Sequence, residues 1–101
     1  MSKFEWDENK KDSNLRKHKV LFEEATEIFK DENAIEFLQD QTTEVRFLRI
    51  GKTIGKVILA VVYTLRDTII RIISARQANR KEINAYIEHT FTKNKADESE
   101  H

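Results

Sequence analysis

Apolar residues recur with two different periods along the chain, and these periods predict its secondary structure. Phe4 and Trp6 alternate with a polar residue just before Asp7, a residue suited to capping a helix. We therefore expect a short N-terminal strand followed by a helix over residues 8–19. Helical spacing also predicts a second, shorter helix that ends near residue 31, from the apolar residues Phe22, Ala25, Ile28 and Phe29.

The pattern changes to that of β-strands after Glu44. Runs rich in Val, Ile, Phe and Tyr cover residues 45–50, 56–64 and 69–75, and the short connections between them indicate antiparallel neighbours. A short run at residues 34–38 is a further candidate strand. The run at 56–64 is apolar on both faces, which predicts a central strand covered by helices on at least one side.

The chain ends with a predicted amphipathic helix from about residue 77, marked by Ile83, Tyr86, Ile87 and Phe91. The fold class is therefore α+β: a short N-terminal strand and two helices, an antiparallel sheet of three to four strands, and a C-terminal helix. Residues 1–91 form the predicted domain. Residues 92–101 contain one apolar residue, Ala96, and are expected to be a disordered polar tail.

Composition restricts the chemistry that is possible. A chain of 101 residues is long enough for one domain, and it contains no cysteine, which excludes disulfides and thiolate metal sites. Its three histidines lack metal-ligand spacing, so we expect neither a metal nor a cofactor. The first ten residues carry charges throughout, and the longest apolar run, 57–63, is far shorter than a membrane span. We therefore expect a cytoplasmic protein that has no contact with a membrane.

Charge is unevenly distributed along the chain, although the net charge is zero. Residues 45–81 contain nine basic residues and one acidic residue, a net charge of +8, which leaves −8 for the remainder. Such asymmetry within one fold indicates nucleic-acid contact. The alternative is a strand face that is basic without any role in binding.

Four arginines lie on or at the ends of the predicted strands: Arg46, Arg66, Arg71 and Arg76. The planar guanidinium group matches phosphate oxygens, and RNA cleavage requires that charge on the scissile phosphate be stabilised. The alternative is that these arginines cap strand ends or pair with Glu44, Asp67 or Glu82. Arg71 and Arg76 are an odd number of residues apart, so a regular strand would place them on opposite faces, and we expect a bulge or turn between them.

A polar stripe occupies one face of the first predicted helix, where helical spacing aligns Lys10, Asn14, Lys17 and His18. It is either a solvated face, with cations suited to a helix C-terminus, or a patch that binds a partner.

Together these residues resemble a known family, the BrnT toxins. The resemblance covers about residues 3–88 and rests on Phe4-Glu-Trp-Asp7, Lys10, Asn14, Lys17-His18, Glu44-x-Arg46, Thr64-x-Arg66 and Arg71-Ile-Ile-Ser-Ala-Arg76. It implies a RelE-like ribonuclease fold and RNA cleavage that arrests translation. It further implies neutralisation by a BrnA-type ribbon-helix-helix antitoxin, in a hetero-oligomer that binds DNA through the antitoxin. Lys19 and Leu21 depart from the pattern, which usually has a glycine and a Ser or Thr at these positions.

The leading hypothesis is a metal-independent endoribonuclease in which the RNA 2′-hydroxyl attacks the adjacent phosphate. Arg66, Arg71 and Arg76 would bind that phosphate, with Glu44 as the general base and His18 as a further acid-base candidate. Three other cationic residues would bind RNA: Arg46, Lys17 and Lys10. The alternative hypothesis is a non-catalytic module that binds an antitoxin or RNA.

Overall fold

The computed structural model of the chain describes residues 3–99, with side chains described for residues 3–93. Its elements, in chain order, are β1 (Lys3–Glu5), α1 (Glu8–His18), α2 (Phe22–Glu27) with a following 3₁₀ turn (Ile28–Lys30), β2 (Ile35–Asp40), β3 (Arg46–Lys52), β4 (Ile58–Arg66), β5 (Ile69–Gln77) and α3 (Arg80–Ser99). The α+β class is confirmed.

The strands form one sheet in the order β1-β5-β4-β3-β2, with β4 at the centre as predicted. Neighbours are antiparallel except β1 and β5, which are parallel. The predicted antiparallel pairing holds for the four strands β2–β5, but the sheet has five strands and is mixed, because the N-terminal strand joins it in parallel. The short run that begins at Ile35 pairs with β3, and the start of the chain returns to β5, where Phe4 lies opposite Ile70. Local periodicity carries no information about so distant a partner.

Each face of the sheet buries a separate core. The larger core lies between the sheet and α2, and it includes the fully buried Phe22, Ile28, Leu59, Val61 and Ile72. A smaller core lies on the opposite face, where Tyr86 of α3 packs on Ile50 and Ala60. The side chains of Arg46, Thr64, Arg71, Ser74 and Arg76 lie on this second face. We call it the arginine face.

A buried asparagine attaches α1 to the sheet. Asn14 is 7% exposed, whereas Leu15, the apolar residue of this helix, is 38% exposed. The Asn14 amide donates to the carbonyls of Ala75 (2.7 Å) and Val20 (3.2 Å), and its Oδ1 accepts from the Ala75 N–H (3.1 Å). Because β1 pairs only with residues 69–71 of β5, Ala75 lies beyond its end, and Asn14 bonds the backbone as a neighbouring strand would.

The ends of the first two helices show how the chain accommodates its unusual residues. The Asp7 carboxylate caps α1 by accepting from the N–H groups of Asn9 (2.8 Å) and Lys10 (3.1 Å). Lys19 ends this helix in the left-handed conformation, with φ of 60°, at a position where glycine is usually favoured. The N–H of Leu21, which offers no capping oxygen, is bonded by the Glu24 carboxylate at 3.2 Å.

The C-terminal helix extends further than the sequence predicts. Disorder is expected from residue 92, yet α3 continues to Ser99, while Glu100 and His101 lie outside the described residues. The segment contains no glycine or proline, and extending an anchored helix costs far less than nucleating a new one. Lys93 adds a tether by donating to the Glu32 carbonyl at 3.3 Å.

Asp31 connects the 3₁₀ turn, β3 and α3. Its carboxylate accepts from the Tyr86 hydroxyl (2.6 Å) and from the N–H groups of Lys52 (2.8 Å) and Asn33 (2.9 Å). Burial alone would raise the pKa of Asp31, but these hydrogen bonds hold it below its usual value. Burial and the bond to the carboxylate raise the pKa of Tyr86 to about 12.

Replacing Asn14 by alanine should destabilise the protein, because the backbone N–H and C=O of Ala75 would then be buried without partners. We expect Asn14→Ala to lower the free energy of unfolding by about 2–4 kcal/mol in urea denaturation. Ser13→Ala, which alters an exposed neighbour on the same helix, should change it by less than about 0.5 kcal/mol. Equal effects of the two substitutions would show that Asn14 does not hold α1 in place.

The contribution of Asp31 should depend on pH in a defined direction. Because its pKa is lower in the folded chain, its ionised form stabilises the fold above the unfolded value of about 3.9, and this stability is lost as pH falls through the lower folded value. Asp31→Asn should therefore cost about 1–3 kcal/mol near neutral pH and less at about pH 3. Urea denaturation of the wild type and of Asp31→Asn measures the difference in their free energies of unfolding at each pH. Asp12→Asn, at an exposed position, is the control. A difference that stays constant with pH would contradict this assignment.

Candidate functional site

A row of cross-strand neighbours forms the centre of the arginine face. Thr64 of β4 lies opposite Arg46 of β3 on one side and Arg71 of β5 on the other. Arg71 in turn lies opposite Glu5 of β1. With strands about 4.8 Å apart, the backbones of Arg46 and Arg71 are separated by roughly 10 Å. A group the size of a phosphate can reach side chains from both strands.

A β-bulge puts Arg76 on the same face of the sheet as this row, at the position opposite Ala60. In β5, Ser74 lies opposite Val62 and Ile72 lies opposite Tyr63, so that Ile73 is an extra residue without a partner. The extra residue reverses the alternation of side chains, and Arg71, Ser74 and Arg76 therefore share one face. The predicted irregularity between the two arginines is confirmed.

Carboxylates bind three of these arginines. Arg71 pairs with Glu5 (2.5 Å), Arg76 pairs with Glu82 through both of its terminal nitrogens (2.7 and 2.9 Å), and Arg46 pairs with Glu44 (3.2 Å). The hydrogen bonds from Arg76 hold the pKa of Glu82 below its usual value. Two of the three carboxylates that the structural alternative offered as partners are thus found, and each cation is held in a fixed position.

The remaining predicted residues lie around this face. Arg66 is exposed at the end of β4, two residues beyond Thr64 and on the same side of the sheet. Glu44 precedes β3, next to Arg46. His18 ends α1, on the far side of β5 from Glu44. The structure thus places the four arginines on one face, with Arg66 and Arg76 near its opposite ends, and does not place His18 and Glu44 as neighbours.

A basic cleft separates α1 from the bulge of β5. It has a volume of about 210 Å³, and we call it the α1 cleft; it is lined by Lys10, Ser13, Asn14, Lys17, His18, Ile73 and Ser74. Lys10 and Lys17 are exposed, His18 and Ser74 are half-buried, and Asn14 is bound to the backbone of β5. The stripe expected on this helix therefore faces the sheet edge, and one of its members anchors the helix.

Sequence reasoning missed several residues that shape the site, among them Glu5, Thr64 and Ser74. It also treated Asn14 as one member of a polar stripe. A signal for its structural role was present, because asparagine is a poor helix former and here occupies the middle of a helix that has almost no apolar face.

Neither a metal site nor a membrane-spanning helix is found in the part of the chain that the structure describes. No group of three or more His, Cys, Asp or Glu side chains that could hold a metal ion occurs among the described residues. No helix in this part of the chain is long and apolar enough to cross a membrane.

The fold and the site define a small α+β domain that concentrates phosphate-matching arginines on one sheet face. The family model described as the ribonuclease toxin BrnT of type II toxin-antitoxin systems matches residues 6–82, and the chain belongs to this family. It is similar to the Brucella abortus ribonuclease toxin BrnT, whose crystal structure was determined at 1.1 Å resolution. That similarity has a TM-score of 0.64 and 26% sequence identity, and it covers 79% of this chain and 100% of the Brucella chain. No curated protein matches the chain significantly.

Proposed function

We propose that the chain is a metal-independent endoribonuclease that arrests translation in the cytoplasm by cleaving RNA at the arginine face. Membership of a family described as ribonuclease toxins supports RNA as the substrate. The observation that carries the assignment to this face is the bulge at Ile73, which puts Arg76 on the same face of the sheet as Arg46, Arg66 and Arg71. A regular strand would have separated them.

In the proposed reaction, the 2′-hydroxyl oxygen of RNA attacks the adjacent phosphorus and the bond to the 5′-oxygen breaks, leaving a cyclic phosphate. Glu44, as a carboxylate, takes the proton from the 2′-hydroxyl. Arg71 and Arg76 stabilise the negative charge that accumulates on the phosphate oxygens. Arg66 lies roughly 20 Å from Arg76 along β4, so it binds an adjoining part of the RNA. His18, across β5, is the candidate that returns a proton to the 5′-oxygen.

The ion pairs of the free chain are compatible with phosphate binding. A guanidinium group has five N–H donors, and Arg71 gives one of its nitrogens to Glu5. The others remain available to a phosphate. The carboxylates also fix the positions of the arginines before RNA arrives, which reduces the entropy lost on binding. Arg76, bound to Glu82 through both terminal nitrogens, must release one of them or bind through Nε.

The partner and the fold relationship follow as proposals from the family. A type II system includes a protein antitoxin, and we infer a BrnA-like ribbon-helix-helix antitoxin that covers the arginine face and carries the complex to DNA. The sheet with its arginine face is also compatible with a RelE-like fold. Residues 1–91 would then form the toxin domain.

A second candidate function is a non-catalytic module that binds RNA or the antitoxin. The observation that favours it is the separation of the proposed base from the proposed acid. Glu44 lies next to Arg46, whereas His18 lines the α1 cleft on the other side of β5. Cleavage assays distinguish the two functions.

Removal of the arginines that are proposed to bind the phosphate should abolish toxicity while the protein stays folded. We expect Arg71→Ala and Arg76→Ala each to remove about 2–4 kcal/mol of transition-state stabilisation, a loss of roughly 30- to 1,000-fold in cleavage rate. Growth arrest on expression and cleavage of RNA by the purified chain measure the effect. Lysine at either position should restore activity only partly, because it lacks the planar fork.

The control for these variants is Arg16→Ala, which removes an exposed cation two residues from Asn14 on the opposite side of α1. It should retain wild-type activity, and circular dichroism should show that all variants are folded. Undiminished growth arrest by both the Arg71 and the Arg76 variants would show that these arginines are structural.

Cleavage should persist in a chelator, because the proposed mechanism assigns the stabilisation of phosphate charge to arginines. RNA should be degraded at the same rate in EDTA and in buffer with added magnesium. The double variant Arg71→Ala/Arg76→Ala, purified in parallel, reports any contaminating nuclease. Loss of activity in EDTA that a divalent ion restores would exclude this mechanism.

A further inference from the structure

We propose that the α1 cleft binds a second phosphate of the RNA, next to the one that is cleaved. This inference rests on the proposed ribonuclease function, to which it adds a subsite that extends beyond the reacting bond. Its ligand is an internal phosphodiester of single-stranded RNA.

The first argument is the distribution of unneutralised charge. On the arginine face, Arg46, Arg71 and Arg76 each pair with a carboxylate, and among residues 3–93 Arg66 is the arginine of this face without an ion pair. In the α1 cleft the situation differs, because within residues 3–93 neither Lys10, Lys17 nor His18 makes an ion pair. Two ammonium groups without carboxylate partners on one wall attract an anion from outside the chain.

The second argument is position. Ser74 forms the β5 side of the cleft and lies between Arg71 and Arg76 along the strand, on the same face as both. Its distance from Arg76 is two strand residues, or roughly 7 Å. An RNA strand whose scissile phosphate lies on the arginine face therefore passes the mouth of the cleft with a neighbouring phosphate.

The third argument is the size and chemistry of the cleft. Its volume of about 210 Å³ is below the range of roughly 300–1,000 Å³ that is usual for small-molecule pockets. Lys10, Lys17 and Ser74 offer donors to phosphate oxygens, whereas the aromatic side chains on which RNA-binding proteins stack bases are missing from its walls. The cleft thus suits a sugar-phosphate unit, and its binding should be independent of sequence.

The test measures binding separately from cleavage. The probe is a fluorescein-labelled oligodeoxyribonucleotide of about ten residues, which has no 2′-hydroxyl and cannot be cleaved. We expect the double variant Lys10→Ala/Lys17→Ala to bind it about tenfold more weakly by fluorescence anisotropy. The slope of log Kd against log salt should fall by about 0.7 for each phosphate that the variant no longer neutralises. Arg16→Ala, on the opposite side of α1, is the matched control and should bind as the wild type does.

A second measurement tests whether the phosphate in the cleft differs from the scissile one. A dinucleoside monophosphate has a single phosphate, so Lys10→Ala/Lys17→Ala should lower its kcat/KM much less than it lowers that of a longer RNA. The kcat/KM for a ten-residue RNA should fall about tenfold. An equal loss with both substrates would overturn the proposal, since the lysines would then act on the scissile phosphate itself.

The binding measurement can support or overturn the subsite whether or not the chain cleaves RNA. If the wild type binds the probe through the lysines but cleaves no RNA, the subsite is supported and the ribonuclease function fails. If the wild type cleaves RNA and the double variant retains both affinity and salt slope, the ribonuclease function is supported and the subsite is overturned. Unchanged probe affinity together with weakened antitoxin binding would also overturn it, by assigning the cleft to a protein partner.

Discussion

The hydrogen bonds between Asn14 and Ala75 are the constraint on which the rest of the site depends. Most helices dock by burying an apolar stripe, but α1 buries a single amide and leaves Leu15 largely exposed. That amide satisfies both backbone groups of a residue that lies just past the bulge of β5. It therefore fixes two features together: the path of β5, which aims the arginines, and the distance of α1 from the sheet, which forms the cleft.

A chain with zero net charge can still present a face suited to phosphate, because each carboxylate acts mainly on the arginine that it contacts. Glu5, Glu44 and Glu82 balance three of the four arginines in pairs, so the arginine face has positions suited to phosphate without a large unscreened field. Ion pairs at this degree of exposure contribute little to stability. Their principal effect is to keep flexible side chains in one place.

Much of the fold could be predicted from the sequence, since the apolar periods of α2, β3, β4 and β5 reflect burial that the structure retains. The parallel pairing of β1 with β5 could not, because Lys3–Glu5 is too short to show a partner. The extension of α3 was missed for a related reason: polar composition suggests disorder, whereas an anchored helix propagates through polar residues. At the site, the sequence pattern predicted a bulge or a turn near Arg71 and Arg76, and the structure has the bulge. The positions of Glu5 and Ser74 beside these arginines depend on pairing between distant segments.

The sheet also determines when during synthesis the site can exist. Glu5 and Arg71 are 66 residues apart, and Asn14 and Ala75 are 61 apart, so the first elements made must wait for the last strand. Contacts of such long range form late and slow folding. A chain translated only as far as β4 consequently lacks both the bulged strand with Arg71 and Arg76 and the Ala75 backbone that anchors α1. The order of synthesis therefore leaves the arginine face unfinished until late, and it is complete only when β5 has joined the sheet.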